Sequence, residues 1–216
     1  MRTFSSLVSL SFMLCFVTAC SQPVLEDKVS AEFASQDLYR VDNTGFTEVF
    51  ARRNADLSSY KAVAIQALDV SHIEIPTSFV AGTLRRDWEM TPERESALRA
   101  AWSDAMQRVF SSYRQANGGP GVLRIAAKLI KIAPGRPTAT TIGAGLQPVG
   151  STQDVMEISA EFRLYDADDD RLLAVIRDNR TLTTVAMSRT APITVTMLFR
   201  SWAASLHTSV SGKWAI

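Results

Sequence analysis

MEISAEFRLYDADDDRLLAVIRDNR, residues 156–180, decides the fold class. Met156, Ile158, Ala160, Phe162 and Leu164 alternate with Glu157, Ser159, Glu161 and Arg163, the period of a strand with one dry face. Asp166 to Asp170 reads as a turn, because Asp side chains accept hydrogen bonds from nearby backbone amides. Residues 171–180 then return as the hairpin partner.

Outward from this hairpin, helical and strand periods alternate. Thr91-Pro92 opens a helix, with Thr as N-cap, Pro at the first helical position and Glu93 in the first turn. Leu98, Ala101, Trp102, Ala105, Met106, Val109, Phe110 and Tyr113 form its apolar stripe, and Asn117-Gly118-Gly119 ends it. Pro192 begins a second helix, striped by Val195, Leu198, Phe199, Trp202, Leu206 and Val210. Residues 61–70 (KAVAIQALDV) and 122–133 read as two further strands, the first dense enough to be buried on both faces. The order strand, helix, strand, hairpin, helix predicts an α/β protein. Its form is a single two-layer sandwich: a mixed sheet of about four to five strands with two main amphipathic helices. Residues 44–216 form this one domain, with a first turn of helix within residues 45–56. Residues 20–43 read as a lipidated N-terminus and flexible tether, with one short helix around residues 29–36.

Hydrophobic residues make up 46% of the 216 and charged residues 21%, ordinary for a globular chain. The net charge is +1, from 23 basic and 22 acidic residues. Nucleic-acid partners need a concentrated basic excess, which Arg52-Arg53 and Arg85-Arg86 do not supply. The two cysteines, Cys15 and Cys20, both lie near the start.

That start has its own pattern. Met1-Arg2 carries positive charge, and residues 7–17 (LVSLSFMLCFV) are apolar over a length too short to span a bilayer as a helix. The run ends in Val17-Thr18-Ala19-Cys20, which resembles a bacterial lipobox: an aliphatic residue, two small ones, then cysteine. The expectation is a lipoprotein signal peptide over residues 1–19. Val17, Thr18 and Ala19 are recognised by the signal peptidase, and the Cys20 thiolate accepts a diacylglyceryl group. Several acyl chains together anchor durably. Ser21, in place of Asp, resembles the enterobacterial sorting pattern for the outer membrane.

Within the folded part no cofactor, metal or catalytic constellation stands out. The Asp166–Asp170 run lacks the Gly and Glu of a calcium loop, holding Arg171 and Arg177 at those positions. His72 and His207 have no second ligand at metal spacing, and no G-x-S-x-G elbow marks a nucleophile. Residues 134–153 (PGRPTATTIGAGLQPVGSTQ) form a long, nearly uncharged loop, read either as a floppy excursion or as an element that packs on a partner. Ile142 and Leu146 of this loop, together with Trp88, are the candidate partner contacts.

The lipobox at Cys20, the Tyr60–Val70 strand, the Trp102 helix and Glu161-Phe162-Arg163-Leu164-Tyr165-Asp166 resemble an uncharacterised family of Gram-negative lipoproteins, domain of unknown function 3313. The resemblance covers residues 42–211. It implies a periplasm-facing lipoprotein and transfers no active-site residue. The expected function is a non-enzymatic binding or structural module of the cell envelope. Its partners are membrane lipid through acylated Cys20 and an unidentified envelope protein or polymer, with self-association as a homo-oligomer left open. A subunit of an oligomeric envelope or secretion assembly is the alternative, and a hydrolase with dispersed catalytic residues stands behind it.

Overall fold

The computed structural model describes residues 22–76, 83–85, 89–137, 153–185 and 191–212. Among them run β1 (Val24–Val29), β2 (Leu38–Asp42), β3 (Glu48–Arg52), β4 (Ala62–Ile65) and β5 (Thr83–Arg85). Then come α1 (Pro92–Val109), β6 (Arg114–Gln115), β7 (Val122–Pro137), β8 (Gln153–Asp166), β9 (Leu172–Val185) and α2 (Ala191–Val210). All the strands share one sheet in the order β1-β2-β3-β9-β8-β7-β4-β6, with β5 added on β7. β4 runs parallel to β6 and β7, and the other pairs are antiparallel.

The expected α/β sandwich with two helices is present, but among the described residues its sheet has nine strands, not four to five. The additional strands lack a readable period. β1 is exposed along nearly its whole length, so it carries no alternation. β3 stands where a turn of helix was expected. It buries Val49 and Ala51 on one face and Phe50 on the other, which erases the period of two. Residues 24–42 are therefore not a tether. Leu38 packs with Phe33, Phe50 and Val175 in a small second core, and the 3-10 turn Ala34–Gln36 replaces the expected helix.

The predicted strand 61–70 breaks after Ile65. Gln66 N–H donates to Ile125 O at 2.9 Å, and the chain then swings out and turns Leu68 into the core. It rejoins β7 at Asp69, whose amide donates to Ala127 O and whose carbonyl accepts from Leu129 N–H. α1 starts as read: Thr91 Oγ1 accepts from Arg94 N–H at 3.3 Å, with Pro92 behind it. It ends earlier than expected, because Phe110 is fully buried as the C-cap and Arg114–Gln115 pairs with β4.

α1 and α2 lie together on one face of the sheet. Trp102 stacks on Phe162 with ring centroids 5.6 Å apart, and Trp202 meets the same ring edge-on at 5.4 Å. Burying each such side chain stabilises by about 1.5–3 kcal/mol. Among these apolar groups sits Asp178, 3% exposed. Its Oδ2 accepts from Trp202 Nε1 at 2.7 Å and Arg180 Nε at 2.6 Å. Its Oδ1 accepts from Thr47 N at 3.1 Å and Thr47 Oγ1 at 2.9 Å. One carboxylate thus joins α2, β9 and the chain entering β3.

The β8–β9 turn closes on the chain entering β4. Tyr60 Oη donates to Asp166 Oδ2 at 2.8 Å, and burial together with this carboxylate raises the Tyr60 pKa.

Two outcomes follow from this packing. A fragment starting at residue 43 lacks Phe33 and Leu38 and bares Phe50 and Val175; urea unfolding should place it at least about 3 kcal/mol below a fragment starting at Gln22. Equal midpoints would return residues 24–42 to the role of a tether. Asp178→Ala strands the indole and Thr47 donors and should cost about 3–5 kcal/mol, whereas Trp202→Phe removes one donor and should cost about 1.5–3 kcal/mol. Equal losses in the two variants would contradict the role given to Asp178.

Candidate functional site on the open sheet face

Strand alternation that sends Ile158, Ala160, Phe162 and Leu164 to the helices sends Glu157, Ser159, Glu161 and Arg163 to the opposite face. The register places Glu161 beside Arg177 of β9 and Lys128 of β7. Glu161 is nearly buried and accepts from Arg163 Nε at 2.7 Å and from Arg177 Nε at 2.8 Å. A desolvated carboxylate requires such partners. Arg177 also grips Glu32 through both terminal nitrogens, reaches Glu48 at 3.7 Å and lies over the Phe33 ring at 5.4 Å. The hydrogen bond from Arg177 holds Glu32 below the usual carboxylate range, and the same pairing raises the Arg177 pKa.

Beside this ladder the swing of the chain after β4 leaves a groove of about 480 Å³, lined among others by Gln66, Asp69, Lys128, Glu161 and Arg163. Its walls carry both signs of charge and small apolar surface from Ala67 and Ala126. Such a lining suits recognition of a polar or zwitterionic group. Farther along, Lys131 pairs with Glu157 at 3.2 Å, and Asn179 Nδ2 donates to the same Glu157 oxygen at 2.9 Å. That amide bond is the main cause lowering the Glu157 pKa.

Hydroxyl, imidazole and carboxylate do meet near the groove, in an order that makes a turn. Ser71 Oγ donates to Asp69 Oδ1 at 2.6 Å and lies 2.7 Å from His72 Nδ1; Ser71 N–H donates to the same carboxylate oxygen at 2.9 Å. The serine proton is committed to Asp69, so His72 meets an oxygen whose proton already points elsewhere. In a triad the imidazole stands between the other two. His207 packs edge-on against Phe110 and Tyr113, at 5.3 and 5.7 Å. In the Asp166–Asp170 run, Asp166 accepts from Asp168 N–H, Asp169 accepts from Arg171 N–H, and Arg124 pairs with Asp170. Arg171 also pairs with Asp166 and Asp169. These carboxylates serve the turn and its arginines. Among the described residues no three His, Cys, Asp or Glu side chains converge as a metal site.

Val17, Thr18, Ala19, Cys20, Trp88, Ile142 and Leu146 all lie outside the described residues, as do residues 138–152 of the long loop. The two ends of that loop, 134–137 and 153, are strand. Sequence reading passed over Asp178 and the Glu161–Arg177 pair. A signal for the first was available: in the register of β8 and β9, Asp178 falls on the inward side with Ala174 and Ile176. A charge there demands buried donors. Arg177 and Glu161 look like any solvated pair until residues 32 and 48 are brought across the sheet.

The sequence matches a family model described as "Protein of unknown function (DUF3313)" over residues 32–206. No curated protein matches it. Among solved structures, the PelC dodecamer from Paraburkholderia phytofirmans is similar at 11% identity and a TM-score of 0.40, covering 73% of this chain and 96% of that one. A hypothetical protein from Chlamydia trachomatis is similar at 10% identity and a TM-score of 0.40, covering 70% and 98%. A minor lipoprotein from Acinetobacter baumannii is similar at 12% identity and a TM-score of 0.33, covering 71% and 94%. With most of its length matched by the family model, the chain belongs to the DUF3313 family.

Proposed function

We propose that this chain is a membrane-anchored lipoprotein that faces the periplasm, attached through acylated Cys20, and acts as a non-enzymatic binding or structural module of the cell envelope. One observation carries the reading: the Val17-Thr18-Ala19-Cys20 lipobox after a short apolar run is followed almost at once by the fold. β1 begins at Val24, so cleavage before Cys20 leaves every described strand in place. The sorting residue Ser21 supports the outer membrane as the destination. Among the described residues no helix is long and apolar enough to cross a membrane.

The open face supplies the binding half of this reading. Its charges are set into strands and cross-braced, so their positions are fixed before any ligand arrives, which lowers the ordering cost of association. The mixed charge of the groove favours an envelope protein or polymer that presents both acidic and basic groups.

Cys20→Ser should abolish incorporation of radioactive palmitate and release the protein from the membrane fraction, while the wild type labels and sediments with membranes. Equal labelling of the two would refute the anchor.

A further inference from the structure

We infer that the end of the sheet carrying the β2–β3 turn, residues 43–47, and the start of β1 is the face held against the lipid surface. The proposal rests on the lipid attachment at Cys20 proposed above and adds an orientation to it. Its basis is how little chain separates the anchor from the fold. Asn43 Nδ2 donates to Gln22 O at 3.4 Å, which ties the second residue after Cys20 to the turn. Two extended residues reach at most about 7 Å. The acyl chains must enter the bilayer, so the headgroups come close to this turn.

The register fixes which end of the sheet this is. Val24 pairs with Asp42 at the end of β2, and Glu48 at the start of β3 pairs with Arg177. Arg180 Nη2 donates to Gly45 O at 2.8 Å, which fastens the same turn to β9. The β8–β9 turn, with Asp168, lies at the opposite end of these strands. From Leu172, where the strand leaves that turn, to residue 178 is six residues, roughly 20 Å at strand rise. The surface at the anchored end suits a lipid boundary: Val24 is one of three large apolar side chains exposed among the described residues, at 54%. An apolar side chain beside acyl chains adds partition energy in the same direction as the lipid.

The chain allows a clean test, because its two cysteines are Cys15, removed with the signal peptide, and Cys20, whose thiol is acylated. Gly45→Cys and Asp168→Cys each introduce one free thiol; Gly45 is exposed, and a Cβ there meets nothing within 4 Å. The mature full-length lipoprotein, labelled with a small fluorophore, is reconstituted into phosphatidylethanolamine/phosphatidylglycerol vesicles carrying headgroup nitroxides. Flotation is measured on the same samples. The expected result is flotation of both variants, with quenching at residue 45 several-fold stronger than at residue 168. Flotation with equal quenching, or with stronger quenching at 168, would overturn the orientation and leave the anchor standing. Failure of both variants to float would overturn the anchor and the orientation together. Inserting a twelve-residue Gly/Ser linker after Ser21 adds about 20 Å of reach. It should relieve the quenching at 45 while flotation persists; quenching that survives the linker would show that the short leash is not what holds this face down.

Discussion

A carboxylate without water must be surrounded by donors or give up its charge, and Asp178 meets that demand by recruiting three parts of the chain at once. The Trp202 indole fixes the rotation of α2 on the sheet, because its N–H must face β9 while its ring meets Phe162. Thr47 supplies its amide and hydroxyl and so sets where β3 enters the sheet. The Thr47 hydroxyl also accepts from Asn179 N–H at 3.2 Å. The position of β3 in turn decides the second core, since Phe50 and Val175 must stand side by side to hold Phe33 and Leu38. Arg180, the remaining donor, passes the constraint to the β2–β3 turn through Gly45. Helix orientation, edge placement and the route of the N-terminal segment thus share one buried charge.

How much of this could be read in the sequence depended on whether a segment buries one face. β8 is the clearest case: its inner residues meet helices and its outer ones meet charged neighbours, so the period of two survives in the residue types. α1 and α2 were equally legible, with Trp102, Met106, Trp202 and Leu206 all buried where the stripes placed them. β3 fails because both faces are apolar, and β1 because both are wet. Neither carries a signal without its partners. The end of α1 was misplaced for a different reason. Gly118 and Gly119 do adopt positive φ, but they serve the turn into β7, while Phe110 ends the helix by being pulled into the core.

The open face was less legible still. Sequence reading set Glu157, Ser159, Glu161 and Arg163 on the outer side of their strand and Asp166–Asp170 in a turn, but gave the strand charges no partners. The Glu161–Arg177 cluster depends on contacts across more than a hundred residues, to Glu32 and Glu48, and on a register no local pattern encodes. The groove depends on a break in a strand: KAVAIQALDV reads as continuous β, and nothing in it announces that Ala67 leaves the ladder while Leu68 turns inward.

The two ends of the strand row bear on how copies of this chain could associate. An open sheet offers unpaired backbone at each edge, which natural proteins guard with charge or shortness. β1 carries Glu26, Asp27 and Lys28 in its middle, and β6 is two residues long. A second sheet adding at β1 would have to desolvate three charges, and one adding at β6 would gain a couple of ladder hydrogen bonds. Edge-to-edge growth is therefore opposed at β1 and at β6. The helical layer presents Arg99, Arg108 and Arg200 with Glu95 and Asp104, pairs exposed enough to be worth little and to stay hydrated. The open face differs in holding its charges half-buried and pre-positioned around a groove, with the smaller loss of freedom on binding.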